Sequence, residues 1–130
     1  MRSSVSRRWR RLSLPREADL RLWDIWKACQ RIIEFTAGFD ERRFIQSPLH
    51  QDAVIRNIEI IGEAAKHLPD EVIARFPDVD WRNAKAMRNV VAHGYFAVDL
   101  PTVWLTITRD VPALELALRD EAQRIESESG

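Results

Sequence analysis

Cysteine is almost missing from this chain of 130 residues, with Cys29 the single one. One thiol cannot close an internal bridge, so the sequence suits a reducing compartment rather than a disulfide-stapled fold. Long hydrophobic runs are missing as well. No stretch approaches the roughly 20 apolar residues that cross a bilayer. The basic N-terminus also lacks the apolar centre of a signal peptide. These gaps exclude a membrane protein and lead to the expectation of a cytoplasmic one. Glycine is scarce, and no glycine-rich phosphate loop or nucleophile elbow occurs. No His/Cys/Asp spacing resembles a zinc or iron site, so no metal is expected. His50 and His67 read as isolated. Formal net charge is zero, but acidic side chains outnumber basic ones beyond residue 16, and an acidic body argues against loose, purely electrostatic binding to nucleic acid.

What is present suits a single globular domain. Hydrophobic residues make up 45% and charged residues 31%, and a chain of this length buries a core without staples. The charge is uneven. Residues 1–16 hold six arginines (Arg2, Arg7, Arg8, Arg10, Arg11, Arg16) and no acid, and the remainder carries 14 basic against 20 acidic side chains. The serine- and arginine-rich residues 1–15 read as a flexible basic extension, with a nucleic-acid-binding arm as the other reading. The domain is expected over 16–125, with a frayed tail over 126–130.

Helical spacing dominates that domain. Leu22, Ile25, Trp26, Cys29, Ile32, Ile33 and Thr36 form an apolar stripe over 16–37, and Gly38 is a candidate stop. Trp23 and Trp26 read as core or interface anchors. Asp24 beside the stripe is either an exposed polar position or a tie to a neighbouring helix. Arg42 to Ile45 read as a short helical turn. A second stripe runs through Val54, Ile55, Ile58, Ile61, Ala65 and Leu68. Gly62 inside it costs about 1 kcal/mol relative to alanine, which points to close approach of another helix. Glu63 next to it is either a solvated helix charge or the partner of an arginine in the bundle.

Pro69-Asp70-Glu71 opens a short helix. Asp80 caps a third main helix expected from Trp81 to about His93-Gly94. Asp99 and Pro101 begin the fourth, whose stripe is Val103, Trp104, Ile107, Val111, Leu114 and Leu118. Pro112 must kink or split it, because proline removes a backbone donor. With no strand pattern and no repeat, the expected fold is all-α: an antiparallel bundle of four to five helices.

The chemistry concentrates in Arg88-Asn89-Val90-Val91-Ala92-His93-Gly94-Tyr95. A guanidinium suits phosphate oxygens, and an imidazole moves protons near neutral pH. Together they form a minimal kit for cutting RNA without a metal. The bland alternative is an arginine and a histidine that merely cap helix carbonyls. On a regular helix, residues five apart differ by about 140°. Arg88 and His93 therefore meet only if the helix end turns back, or if two copies of the segment face each other in a homodimer.

Arg88-x4-His93-x-Tyr95 resembles the motif of HepT-like toxins, a branch of the HEPN-domain superfamily. Arg56 to Ala64, with its Gly-Glu-Ala, is similar to the family's second helix. Phe76-Pro77 followed by Trp81, and Tyr95-Phe96 followed by Asp99 and Trp104, resemble its surroundings. The likeness covers about Ala18 to Leu118. Two features depart from it: the arginine-rich extension, and Lys85-Ala86 where a glycine often precedes Met-Arg-Asn. The resemblance implies an all-helical homodimer acting as a metal-independent ribonuclease toxin. It makes Arg88 and His93 the catalytic pair and Asn89 a polar helper. It implies a minimal nucleotidyltransferase antitoxin as partner, which moves AMP from ATP to Tyr95, while the toxin needs no cofactor of its own. A rival reading makes the chain a non-catalytic helical subunit of a nucleotidyltransferase complex, with Arg88 and His93 only binding nucleotide or phosphate.

Overall fold

The computed structural model describes residues 2–89 and 99–129, with side chains described for 16–89 and 99–128. Helix α1 spans Arg2–Phe35, α2 Glu41–Ile45, α3 Pro48–Lys66, α4 Asp70–Ile73, α5 Trp81–Ala86, α6 Leu100–Leu105 and α7 Val111–Ser129. A π-helical segment, Thr106–Asp110, joins α6 to α7. The described residues contain no strand, so the fold is all-α, a helical bundle.

Two boundaries differ from the sequence reading. The stretch 2–15, read as a separate extension, is continuous with α1, and Pro15 lies inside that helix. The frayed tail expected from residue 126 is helical to Ser129. Arg124 explains the second difference. It bonds Glu121 one turn back and Glu128 one turn ahead, both at 2.6 Å, and such pairs support a helix end. Buried Ile125 adds an apolar anchor to the same turn.

α1 is the central strut, packed on α3 along one side and on α7 along the other. Leu22, Ile25, Cys29 and Ile32 from α1 meet Val54, Ile58 and Ile61 from α3 and Val111 and Leu118 from α7, all fully buried. Phe44 on α2 completes this core and stacks obliquely on Trp104 of α6 at 5.6 Å. α1 ends where expected, because Gly38 takes a φ of +78° that a side chain would oppose. The caps also fall where expected. Asp80 accepts from Asn83 N at 3.0 Å, and Asp99 accepts from Thr102 N at 3.4 Å.

Pro112 acts as its chemistry requires. Without an N–H it cannot complete the ordinary helical ladder. The π-helical widening lies directly before it, so the apolar stripe continues from α6 into α7 while the backbone adjusts. Glu115 then ties α7 to α1. Its buried carboxylate accepts from Trp26 Nε1 at 2.9 Å and from Arg119 Nε at 2.8 Å. Arg119, then the Trp26 indole, hold the Glu115 carboxyl below its ordinary range against the opposing effect of burial. Burial pushes the Cys29 thiol up, with Glu115 adding to the effect.

Candidate active site

α5 carries the front of the motif, and three contacts set its position. Asp80 caps it. Trp81 Nε1 donates to the Phe76 carbonyl at 3.2 Å, and the two rings meet edge to face at 6.3 Å. Trp81, Ala84 and Met87 are buried, so one face of the segment is committed to the core.

The regular helix closes earlier than the sequence suggests. α5 was expected to run from Trp81 to His93, but its regular turns end at Ala86. Met87 N shares its bond between the Asn83 and Ala84 carbonyls, and Arg88 N bonds the Lys85 carbonyl at 3.4 Å. These three-residue bonds tighten the turn. Asn89 is helical again and exposed. His93 and Tyr95 lie outside the described residues, as do Val91 and Ala92 of the expected stripe.

Gly62 explains why the chain can pass here. A Cβ built on it would lie 2.6 Å from Arg88 N, 2.8 Å from Arg88 Cβ and 3.0 Å from Arg88 Cα. The close approach inferred from a glycine inside α3 is therefore real, and its counterpart is the motif arginine itself. The adjacent residue completes the contact. Glu63 Oε2 lies 3.1 Å from Arg88 Nε, an ion pair in which both side chains are about half exposed. The second of the two readings of Glu63 holds: it is the partner of an arginine.

His67, which read as isolated, belongs to the same cluster. Its Nε2 lies 3.4 Å from Glu63 Oε1. The signal was present in the sequence, since residues four apart share a helix face. His50 is not isolated either: its Nδ1 pairs with Ser47 Oγ at 2.6 Å, and its ring lies against Phe39.

Beside this cluster a groove of about 310 Å³ runs between α1 and α3, lined by Arg21, Asp24, Arg56, Glu59, Ile60 and Glu63 among others. Burial pushes the Asp24 carboxyl up, while Arg21 and Arg31 oppose the rise. Among the described residues no group of His, Cys, Asp and Glu is arranged to hold a metal ion. No helix among them is long and apolar enough to cross a membrane.

Comparison with known proteins decides the family. The family model "Ribonuclease HepT-like" matches residues 25–120, a span that takes in Glu63, Arg88, His93 and Tyr95. The chain belongs to the HepT-like ribonuclease family. A protein of Methanocaldococcus jannaschii, provisionally named as an RNase, is 35% identical over 77% of this chain and 92% of its own length. A protein of Thermococcus cleftensis named as a probable ribonuclease HepT is 39% identical over 72% of this chain and 86% of its own. A provisionally named RNase of Caldanaerobacter subterraneus is 34% identical over 77% and 89%. No solved structure gives a significant match. The HepT-like chain thus presents the arginine of its motif on a tightened turn, braced by a glycine contact and a carboxylate.

Proposed function

We propose that this HepT-like chain is a metal-independent endoribonuclease of the toxin type. The observation that carries the reading is Arg88. Its backbone is packed against Gly62, its guanidinium is half open to solvent, and it lies within the matched family region. Such a group suits a scissile phosphate better than it suits a core. The motif imidazole, His93, supplies the proton transfer. The 2′-oxygen attacks phosphorus as its proton leaves, and the bond to the 5′-oxygen breaks as that oxygen gains a proton. The products are a 2′,3′-cyclic phosphate and a 5′-hydroxyl. Arg88 stabilises the charge that grows on the phosphate in between, with Asn89 as a polar helper.

Regulation follows the same reading. A minimal nucleotidyltransferase partner moves AMP from ATP to the Tyr95 hydroxyl, releasing pyrophosphate. The added anion then occupies Arg88 and repels RNA. The active form is a cytoplasmic homodimer with two motifs in one cleft.

The experiment is RNA cleavage by purified protein in EDTA. Wild type and Tyr95→Phe should cut, and the product should carry the cyclic phosphate. His93→Ala should be inactive with its helical circular dichroism unchanged. Cleavage by His93→Ala at the wild-type rate would overturn the mechanism, and loss of all cutting in EDTA would overturn its independence of metal.

A further inference from the structure

The Glu63 carboxylate has no role in the chemistry above, yet it touches the group that does. We propose that Glu63 is a positioning residue for Arg88, orienting the guanidinium so that its outer edge meets the scissile phosphate of RNA. The inference rests on the ribonuclease reading and deepens it.

Three observations carry it. The first is where the contact falls. Glu63 Oε2 approaches Arg88 at Nε, the nitrogen nearest the side-chain stem, at 3.1 Å. A guanidinium has five N–H donors, so one carboxylate oxygen at Nε leaves a terminal pair able to grip a phosphate. The second is the anchor. Gly62 fixes the Arg88 backbone against α3, and Glu63 is the next residue along that helix. Backbone and side chain of the arginine are thus set from neighbouring positions of one rigid element. The third is the second oxygen of Glu63, which faces His67 Nε2 at 3.4 Å. That contact restrains the carboxylate from the turn above and limits the rotamers from which it could release Arg88.

Stability does not account for the pair. The two side chains are 43% and 48% exposed, and ion pairs so open to water contribute little to folding. The same openness leaves the arginine accessible to a substrate. The competing effect is neutralisation, in which Glu63 weakens Arg88 as a phosphate binder and its removal speeds cleavage.

Steady-state cleavage of a short RNA separates these outcomes, with thermal unfolding measured on every variant. Glu63→Ala should lower kcat roughly a hundred-fold, the scale of a small misplacement of a catalytic group. KM and the unfolding temperature should hardly change. Glu63→Gln, which keeps an acceptor oxygen at the same reach, should recover part of the loss. In an Arg88→Lys background, which has no guanidinium to orient, Glu63→Ala should cost little more. Three results would overturn the proposal: faster cleavage by Glu63→Ala, a loss that tracks unfolding, or an equal fold-loss in the Arg88→Lys background. If wild type cuts no RNA, the ribonuclease reading fails by itself, and nitrogen-15 spectra still test the hold on Arg88. Its Nε–H resonance should shift and exchange faster with water in Glu63→Ala, and an unchanged resonance would sink the positioning role.

Discussion

Gly62 carries more of the site than its lack of a side chain suggests. A methyl group there would overlap the Arg88 backbone, 2.6 Å from its amide nitrogen. Rotating a side chain cannot relieve the overlap, since the nearest atoms belong to the Arg88 backbone and its Cβ. Gly62→Ala should therefore destabilise the fold by about 1–3 kcal/mol, the range for overpacking, despite the better helix propensity of alanine. It should also slow RNA cleavage by more than the unfolded fraction explains, because Arg88 is displaced. Thermal unfolding read beside activity checks both; a variant with wild-type stability and rate would contradict the contact.

At the scale of elements, two acidic side chains perform opposite tasks. Asp80 is exposed and caps α5 by accepting from Asn83 N. Asp80→Ala should cost about 1 kcal/mol in chemical denaturation, and the Asn83 amide that the cap holds should lose protection from hydrogen exchange first. Glu115 is buried and links α7 to α1 through Trp26. Its folded pKa is lowered by Arg119 and Trp26. Its contribution to stability is therefore complete above the ordinary carboxylate range and disappears as pH falls through the lowered folded value. Glu115→Gln should weaken the protein at neutral pH by about 1–3 kcal/mol. Its stability should then fall less steeply than that of wild type on acidification. Parallel pH profiles of the two would remove Glu115 as the cause.

Much of this was legible in the sequence. The stripes placed α1, α3 and the α6–α7 pair, because burial on one face leaves a period that side chains alone reveal. Gly62 announced a close contact, and Glu63 offered an arginine as one of two partners. What the sequence withheld was which arginine, since Glu63 and Arg88 are brought together only by the packing of α5 on α3. The early close of α5 was hidden for a related reason: bonds to the third residue back leave no mark on the spacing. His67 could have been paired with Glu63 by its distance of one turn, but only the contact with Arg88 gives that pairing meaning.

For the whole molecule, the surplus of large apolar side chains favours self-association. Leu49 and Leu105 are at least half exposed. A homodimer at micromolar concentration is the expected result of a solution mass measurement, and a monomer there would remove the composite cleft. One other feature gives the molecule a built-in clock. Cys29 is fully buried on α1, with α3 and α7 packed on either side, and its thiol resists ionisation. A thiol-reactive dye can reach it only when α1 parts from the bundle. The dye's rate of incorporation thus counts excursions of the central strut. Because no second thiol competes, a single mass increment per chain reports how often the bundle breathes, and whether bound RNA or partner holds it shut.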